Sequence, residues 1–390
     1  MTRNVYILLI AQFLTAFADN AILFTALAMV KHINGNPPWY IPALQEVFLV
    51  AFVALAPWVG RFADARPKSV VLFNANVVKA IGAGLMFAGV DPLISYAIVG
   101  VGAAMYAPAK YGILPELVSH DALVKANGWI ESTTILAILS GSIVGGMVAD
   151  HSVVIALGLI ETLFVLSAFT AWFIERIPPH IHERQKCESA LPHFLHLAQS
   201  LLHTRRARFC VLGVAIFWAA AAALRVILVA WAPLVLDIQD SGGIAKLTAF
   251  IAIGIALGAV VVPHIVPLEH LRRARFAAYG VGIAILLLET ISDIREARVV
   301  LILVGLAGGL FVVPINAALQ EIGHRSVGSG NTIAVQQFFE SLAMATATAL
   351  YGLAAALGAD PMSAIIVLGL VVIVVSSVVS WHLPRRRDNQ

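Results

Sequence analysis

Charged residues are scarce in this chain. They make up 12% of its 390 residues, whereas soluble domains usually carry about 25%. This scarcity excludes an ordinary soluble domain. Apolar residues take the place of the missing charge, since 60% of the chain is hydrophobic and the mean hydropathy is +0.90. The composition therefore predicts a helical protein that crosses a membrane many times.

Cysteine is almost absent. The two cysteines, Cys187 and Cys210, fall on or near one loop, so they are not placed to join distant parts of the chain by a disulfide. We expect both to be free thiols. Several histidines occur in the same region, but they lack partners at the fixed spacing of metal ligands. The sequence therefore predicts no metal site.

Signatures of catalysis and of nucleotide use are also missing. The chain has no GxxxxGK[ST] phosphate loop and no HExxH motif. We therefore expect no ATP-driven transport, no cofactor, no catalytic residue and no binding to nucleic acid. A Ser-His-Asp triad is recognised by geometry and not by order in the chain, so a membrane-embedded lipid enzyme stays open as an alternative.

The apolar residues are grouped into runs long enough to span a bilayer, which takes about 20 helical residues. We count twelve predicted spans, at residues 5–31, 41–62, 69–89, 92–114, 123–148, 152–177, 208–236, 244–265, 276–292, 299–319, 328–357 and 361–383. Connections between them are mostly short. The predicted fold class is therefore an all-α membrane protein with twelve transmembrane helices in two six-helix bundles.

One long connection divides the chain. It gives a predicted N-terminal bundle at 1–177, a linker at 178–207, and a C-terminal bundle with a short basic tail at 208–390. Within the linker, apolar residues recur at helical spacing, which favours an amphipathic helix at the membrane surface; they are Phe194, Leu197, Ala198, Leu201 and Leu202. A plain solvated linker is the alternative.

Lysine and arginine are unevenly distributed over the predicted loops. Of the 25, 19 fall on one side of the membrane, four on the other, and two inside spans. Positive residues accumulate on the cytoplasmic side of membrane proteins. The pattern therefore predicts that both termini are cytoplasmic and that the number of spans is even.

Five ionisable residues lie deep inside predicted spans: Asp19, Lys79, Glu131, Arg225 and Glu340. A charge at the bilayer centre costs about 2.5–3.5 kcal/mol on insertion scales, so such residues are usually paired or functional. Asp19 is the strongest candidate, because Asn20 and Gln12 add polarity to the same span. For Lys79, Glu131 and Glu340 a purely structural interhelical bond explains the sequence equally well. Arg225 has no polar neighbour in sequence and needs a distant carboxylate or an anionic ligand.

The loop between the second and third spans carries a recognisable motif. Residues 60–68 read GRFADARPK, and together with two halves of six spans this resembles the major facilitator superfamily, with Pro67 replacing the usual glycine. The resemblance implies that Asp64 and Arg66 help hold a cytoplasmic gate. We expect Lys110 and Lys125 to join them there, although the general excess of cytoplasmic positive charge explains both lysines about as well.

Three longer segments carry a narrower resemblance. Residues 11–21 (AQFLTAFADNA), 100–114 (GVGAAMYAPAKYGIL) and 123–128 (LVKANG) are similar to bacterial lysophospholipid transporters of that superfamily. This implies a monomeric flippase that moves lysophosphatidylethanolamine and lysophosphatidylglycerol to the cytoplasmic leaflet of the bacterial inner membrane. A separate acyltransferase and acyl-carrier-protein synthetase would then restore the missing chain.

The charged residues suit such a cargo. We expect alternating access around one central cavity, in which Arg225, helped by Lys79, neutralises the lipid phosphate. Asp19, with Glu131 or Glu340, would take the ammonium of the ethanolamine form, and Asp19 and Arg225 would pair when no lipid is bound. A proton-coupled exporter of drugs or small amphiphiles also stays open, as does a receptor that moves nothing across the membrane.

Overall fold

The computed structural model describes residues 2–32, 40–178, 189–238, 241–266 and 268–381, and none of these residues forms a strand. The described helices are α1 (Arg3–His32), α2 (Tyr40–Asp64), α3 (Lys68–Phe87), α4 (Pro92–Gly112), α5 (Leu114–Leu117), α6 (His120–His151), α7 (Val153–Trp172), α8 (Ala190–His203), α9 (Arg205–Leu236), α10 (Ser241–Ile265), α11 (Ala274–Leu287), α12 (Ile294–Arg325), α13 (Ser329–Ala356) and α14 (Pro361–Trp381). Cys187 and the basic tail lie outside the described residues, and Cys210 is buried as a free thiol.

Eleven of the described helices are long and apolar enough to cross a membrane. The predicted ninth span corresponds to α11, which is only 14 residues long. Two 3₁₀ turns, Leu268–Arg273 and Leu288–Thr290, continue it at either end. The predicted all-α membrane fold is therefore confirmed, and the chain is a multi-pass membrane protein.

The chain divides into two compact units, which interleave along the sequence. The first unit comprises Met1–Ala126, Thr133–Ala198 and Gln320–Phe338, and the second comprises Asn127–Ser132, Gln199–Leu319 and Phe339–Gln390. Each unit therefore takes short segments from helices whose other parts belong to its neighbour. The predicted bundle boundaries at 177 and 208 stay a prediction.

In the first unit, the core is built from the inner faces of α1, α2, α3, α4 and α7. Ile22, Met86 and Phe164 are among its fully buried side chains. Glycines allow close helix contacts here: a Cβ on Gly141 or Gly145 of α6 would overlap the backbone of α1 at Phe17 or Ala21. Gly141 and Gly145 therefore form a small-residue face on α6, which contains the predicted fifth span.

In the second unit, the core is built from α9, α10, α11, α12 and α14, with Trp231 and Leu301 completely buried. The contact between α10 and α12 is made by glycines on both helices. Gly254 and Gly258 face the backbone of α12, while Gly305 and Gly309 face the backbone of α10. Because each pair is four residues apart, the two helices approach each other over a full turn.

The linker contains the predicted amphipathic helix, α8. Phe194, Leu197, Ala198 and Leu201 are buried, whereas Leu191 and Leu195 are exposed. The Phe194 ring packs edge-on against Phe338 of α13, with ring centroids 5.4 Å apart. Ala190–His203 is thus helical, and its position at a membrane surface stays a prediction.

Candidate functional site

The polar face of α1 is built by residues at helical spacing. Gln12 and Thr15 are buried, and Asp19 is partly exposed. The Gln12 amide donates a hydrogen bond of 2.8 Å to the Thr134 hydroxyl of α6. Asn20, also predicted to bind substrate, donates instead to the carbonyl of Ala16 on its own helix, at 2.8 Å. The Asn20 amide nitrogen is therefore hydrogen-bonded within its own helix.

An ion pair joins α1 to α3 at mid-span. The ammonium of Lys79 lies 2.6 Å from Asp19 Oδ2 and donates a second bond, of 3.0 Å, to Thr15 Oγ1. The Thr15 hydroxyl in turn donates to Asn76 Oδ1 at 2.7 Å. In this series of hydrogen bonds each donor meets an acceptor, from Lys79 through Thr15 to Asn76. The series therefore fixes the positions of the Lys79 ammonium and of the Asp19 carboxylate that it binds.

The two members of this pair differ in exposure. The Lys79 side chain is 1% exposed, whereas that of Asp19 is 17% exposed. The Lys79 ammonium also lies 4.9 Å from the centroid of the Tyr106 ring and 5.8 Å from that of Phe164, which suits a desolvated cation. The ammonium is thus enclosed, while the Asp19 side chain keeps some exposed area, although its Oδ1 atom is buried.

One carboxylate oxygen of the ion pair lacks a hydrogen-bond partner. Asp19 Oδ1 has no hydrogen-bond partner among the described residues, and the same holds for Gln12 Oε1 and Tyr106 Oη. Buried polar atoms are nearly always satisfied by protein, water or ligand. These oxygens therefore identify the part of the first unit where a ligand with hydrogen-bond donors would be held best.

Arg225 of α9 belongs to the second unit. Its side chain is exposed, and it makes no hydrogen bond or ion pair with any residue that the structure describes. The expected pairing of Arg225 with Asp19 stays a prediction. The guanidinium is therefore available to an anion.

The other predicted carboxylates are buried. Glu131 is 3% exposed and accepts a hydrogen bond of 3.3 Å from the Asn316 amide of α12, and Asn127 lies in the same buried stretch of α6. Glu340 of α13 is also buried. An amide donor stabilises the Glu131 carboxylate within the span and offsets part of its desolvation.

The predicted gate residue Asp64 ends α2 and caps α13. Its carboxylate accepts hydrogen bonds of 2.8 Å from the backbone N–H groups of both Gly330 and Asn331. These are among the orphan donors of a helix N-terminus, where the helix dipole favours a negative charge. The contact therefore fastens the start of α13 to the end of α2.

Two further residues, which the sequence did not single out as gate residues, complete this contact. Lys68 lies 3.7 Å from Asp64 and 2.6 Å from Glu116, and all three side chains are buried. Gly328 has φ +97°, and a Cβ there would overlap the Asp64 carboxylate. Glu116 follows the predicted fourth span in the chain but carries no motif that would indicate its partner.

The remaining predicted gate residues differ in exposure. Arg66 is exposed and stacks on the Phe62 ring at 4.2 Å, and Lys125 is also exposed. Lys110 is buried, with its ammonium 4.0 Å from the centroid of the Tyr111 ring. Within the described ranges, no group of three metal-ligating side chains occurs here or elsewhere.

A second polar contact in the first unit joins α6 to the end of α12. His120, at the start of α6, is 2.6 Å from Glu321 of α12, which also pairs with Arg325 at 2.7 Å. The pair of His120 and Glu321 could not be predicted from the sequence, because 201 residues separate its members and neither belongs to a motif.

Comparison with known proteins assigns the chain to a family. Residues 8–359 match the family model of the Major Facilitator Superfamily. Lysophospholipid transporter LplT of Photorhabdus laumondii is 39% identical over 98% of this chain and 96% of that protein. The protein of the same name from Enterobacter sp. strain 638 is 42% identical over 89% of this chain and 88% of its own length.

Solved structures agree on the fold. The human organic anion transporter MFSD10 superposes with a TM-score of 0.81, at 14% identity, covering 97% of this chain and all of that one. The fucose:proton symporter FucP of E. coli gives a TM-score of 0.74, at 14% identity, with 97% of both chains covered. At these identities the likeness concerns the fold alone. Since its sequence matches over nearly the full length, the chain belongs to the major facilitator superfamily and, within it, to the family of the bacterial lysophospholipid transporters.

Proposed function

We propose that this protein transports lysophospholipids across a membrane, as its relatives' names say of them. The observation that carries the proposal is a pair of opposite charges in apolar spans, each with a polar group that has no partner among the described residues. Asp19 is partly exposed with one oxygen unpartnered, and Arg225 is exposed without a partner among the described residues. An unpaired charge at this depth is costly, so a ligand best explains Arg225. A ligand with hydrogen-bond donors would also satisfy the unpartnered oxygen of Asp19.

The headgroup of a lysophospholipid carries groups that can pair with Arg225 and with Asp19. In this proposal Arg225 binds the phosphate, for which a guanidinium is well suited. Asp19 accepts hydrogen bonds from the ammonium of lysophosphatidylethanolamine or from the hydroxyls of lysophosphatidylglycerol. Glu131 and Glu340 supply further negative charge in the second unit. The single acyl chain stays on apolar helix surfaces or in the bilayer.

The wider setting is proposed from the family and from the charge distribution. The lipid moves to the cytoplasmic leaflet of a bacterial inner membrane, with both termini of the protein in the cytoplasm. Transport proceeds by alternating access of a monomer, and a separate acyltransferase and acyl-carrier-protein synthetase reacylates the product. The Asp64 cap on α13, with Arg66, Lys110 and Lys125 around it, closes the cytoplasmic end.

Charge reversal tests the assignment. We expect Asp19→Lys and Arg225→Glu each to abolish lysolipid uptake into spheroplasts. The lysine would repel the ammonium of the headgroup, and the glutamate would repel its phosphate. Lys246→Met, which removes an exposed charge of α10, serves as the control and should transport like the wild type. Wild-type uptake by both reversed variants, at equal amounts of protein in the membrane, would refute the assignment.

A further inference from the structure

Lys79 lies too deep to bind a lipid phosphate itself. Its side chain is 1% exposed, and its ammonium is already bound to Asp19 Oδ2, Thr15 Oγ1 and the faces of two aromatic rings. Helix α4 also closes over the side chain. A Cβ on Gly102 would come within 2.6 Å of Lys79 Cγ, so the stem has little freedom to swing away.

The same contacts fix the orientation and the local charge of the Asp19 carboxylate. They hold Oδ2 toward the protein and leave Oδ1 without a partner among the described residues. They also compensate the charge of the carboxylate, since the two groups are only 2.6 Å apart. A ligand that reaches Asp19 therefore meets a fixed acceptor of low net charge.

We propose that Lys79 is a positioning and selectivity residue, which orients Asp19 and cancels its charge so that anionic as well as zwitterionic headgroups are accepted. The inference rests on the proposed function. Both lipid classes carry a phosphate, but only lysophosphatidylglycerol has a net negative charge. An uncompensated Asp19 would repel that lipid and would still attract the ammonium of lysophosphatidylethanolamine.

The ratio of the two uptake rates tests this role. We expect Lys79→Met to lower the ratio of lysophosphatidylglycerol to lysophosphatidylethanolamine uptake by roughly fivefold, which is the effect of one charge about 4 Å from the headgroup in a water-filled site. A ratio does not depend on how much variant is folded. The measurement uses full-length protein in proteoliposomes with each lysolipid alone, and Lys246→Met is the matched control.

A double variant separates positioning from direct binding. In Asp19→Asn/Lys79→Met both charges are removed together, so the ratio should return to the wild-type value or rise above it. If Lys79 bound the phosphate directly, both lipids would be lost in parallel and the ratio in Lys79→Met would not change. That outcome overturns the inference.

Chemical rescue provides a second measurement. Lys79→Ala removes the ammonium and leaves space beside Asp19, so added propylammonium chloride should restore lysophosphatidylglycerol uptake, whereas sodium chloride at equal ionic strength should not. Lack of rescue together with an unchanged ratio would contradict the positioning role. Failure of the wild type to move either lipid would refute the proposed function instead, so the two failures are distinguishable.

Discussion

At the scale of single residues, backbone geometry decides which residues can lie beside the contact between Asp64 and the start of α13. Gly328 adopts φ +97°, a conformation that residues with a Cβ rarely adopt, and it packs against the Asp64 carboxylate just before α13. The carboxylate can reach the Gly330 and Asn331 N–H groups because Gly328 has no side chain. The cap and the glycine therefore depend on each other.

Replacing Gly328 should destabilise this contact. For Gly328→Ala we expect a loss of roughly 1–3 kcal/mol from backbone strain, in addition to displacement of Asp64, seen as a lower midpoint of thermal unfolding in detergent. Gly352→Ala is the control, because that glycine lies inside α13 with nothing within 4 Å of the added methyl group. It should be neutral or slightly stabilising. Equal midpoints for the two variants would show that the cap contributes little.

Residue-scale features also mark the limit of prediction from the sequence. The depth of Asp19 and Lys79 in their spans was predictable, because hydropathy fixes position along a span. Their pairing was not, since it depends on which way each helix is rotated about its axis and on which helix lies beside it. The same limit applies to Asp64, whose motif was recognised but whose partner on α13 lies 266 residues away.

At the scale of helices, small residues set the distances between neighbours. The sequence predicted where the helices lie, and α1 to α4 begin and end within about four residues of the predicted spans. It did not point to the reciprocal glycines of α10 and α12. A glycine pair on one helix acquires meaning only when the facing helix is known.

The α10–α12 contact should be sensitive to a single methyl group. In Gly305→Ala the added Cβ would overlap the Ile251 carbonyl and approach the Gly254 Cα to 2.9 Å, so the helices must separate. We expect a cost of about 1–3 kcal/mol, measured as a lower unfolding midpoint and a smaller monodisperse fraction. Gly158→Ala on α7, where nothing lies within 4 Å, should match the wild type. An unchanged Gly305→Ala would contradict this packing.

At the scale of the whole molecule, the distribution of charge relates the fold to the proposed transport. Most lysines and arginines lie in predicted loops of one side, whereas the charges inside the described spans are paired, hydrogen-bonded or exposed. Each kind of placement limits the cost of charge in a membrane. In the proposed function, Asp19 and Arg225 are the two that bind the lipid headgroup.

The rival functions differ in what they predict for a pure sample. An exporter coupled to protons would lose transport when the pH gradient is collapsed, and a lipid enzyme would change the lysolipid chemically. A receptor would bind the lipid without moving it across the bilayer. Mass spectrometry of the recovered lipid, with and without a pH or sodium gradient, separates these possibilities in one preparation.

The most direct measurement is the movement of fluorescent lysophosphatidylethanolamine between the leaflets of proteoliposomes that contain only this protein. We predict rapid movement of chemically unchanged lipid by the wild type, and movement at the protein-free rate by Asp19→Lys and by Arg225→Glu. Movement by the wild type at the protein-free rate, or undiminished movement by both reversed variants, would contradict the proposed transport.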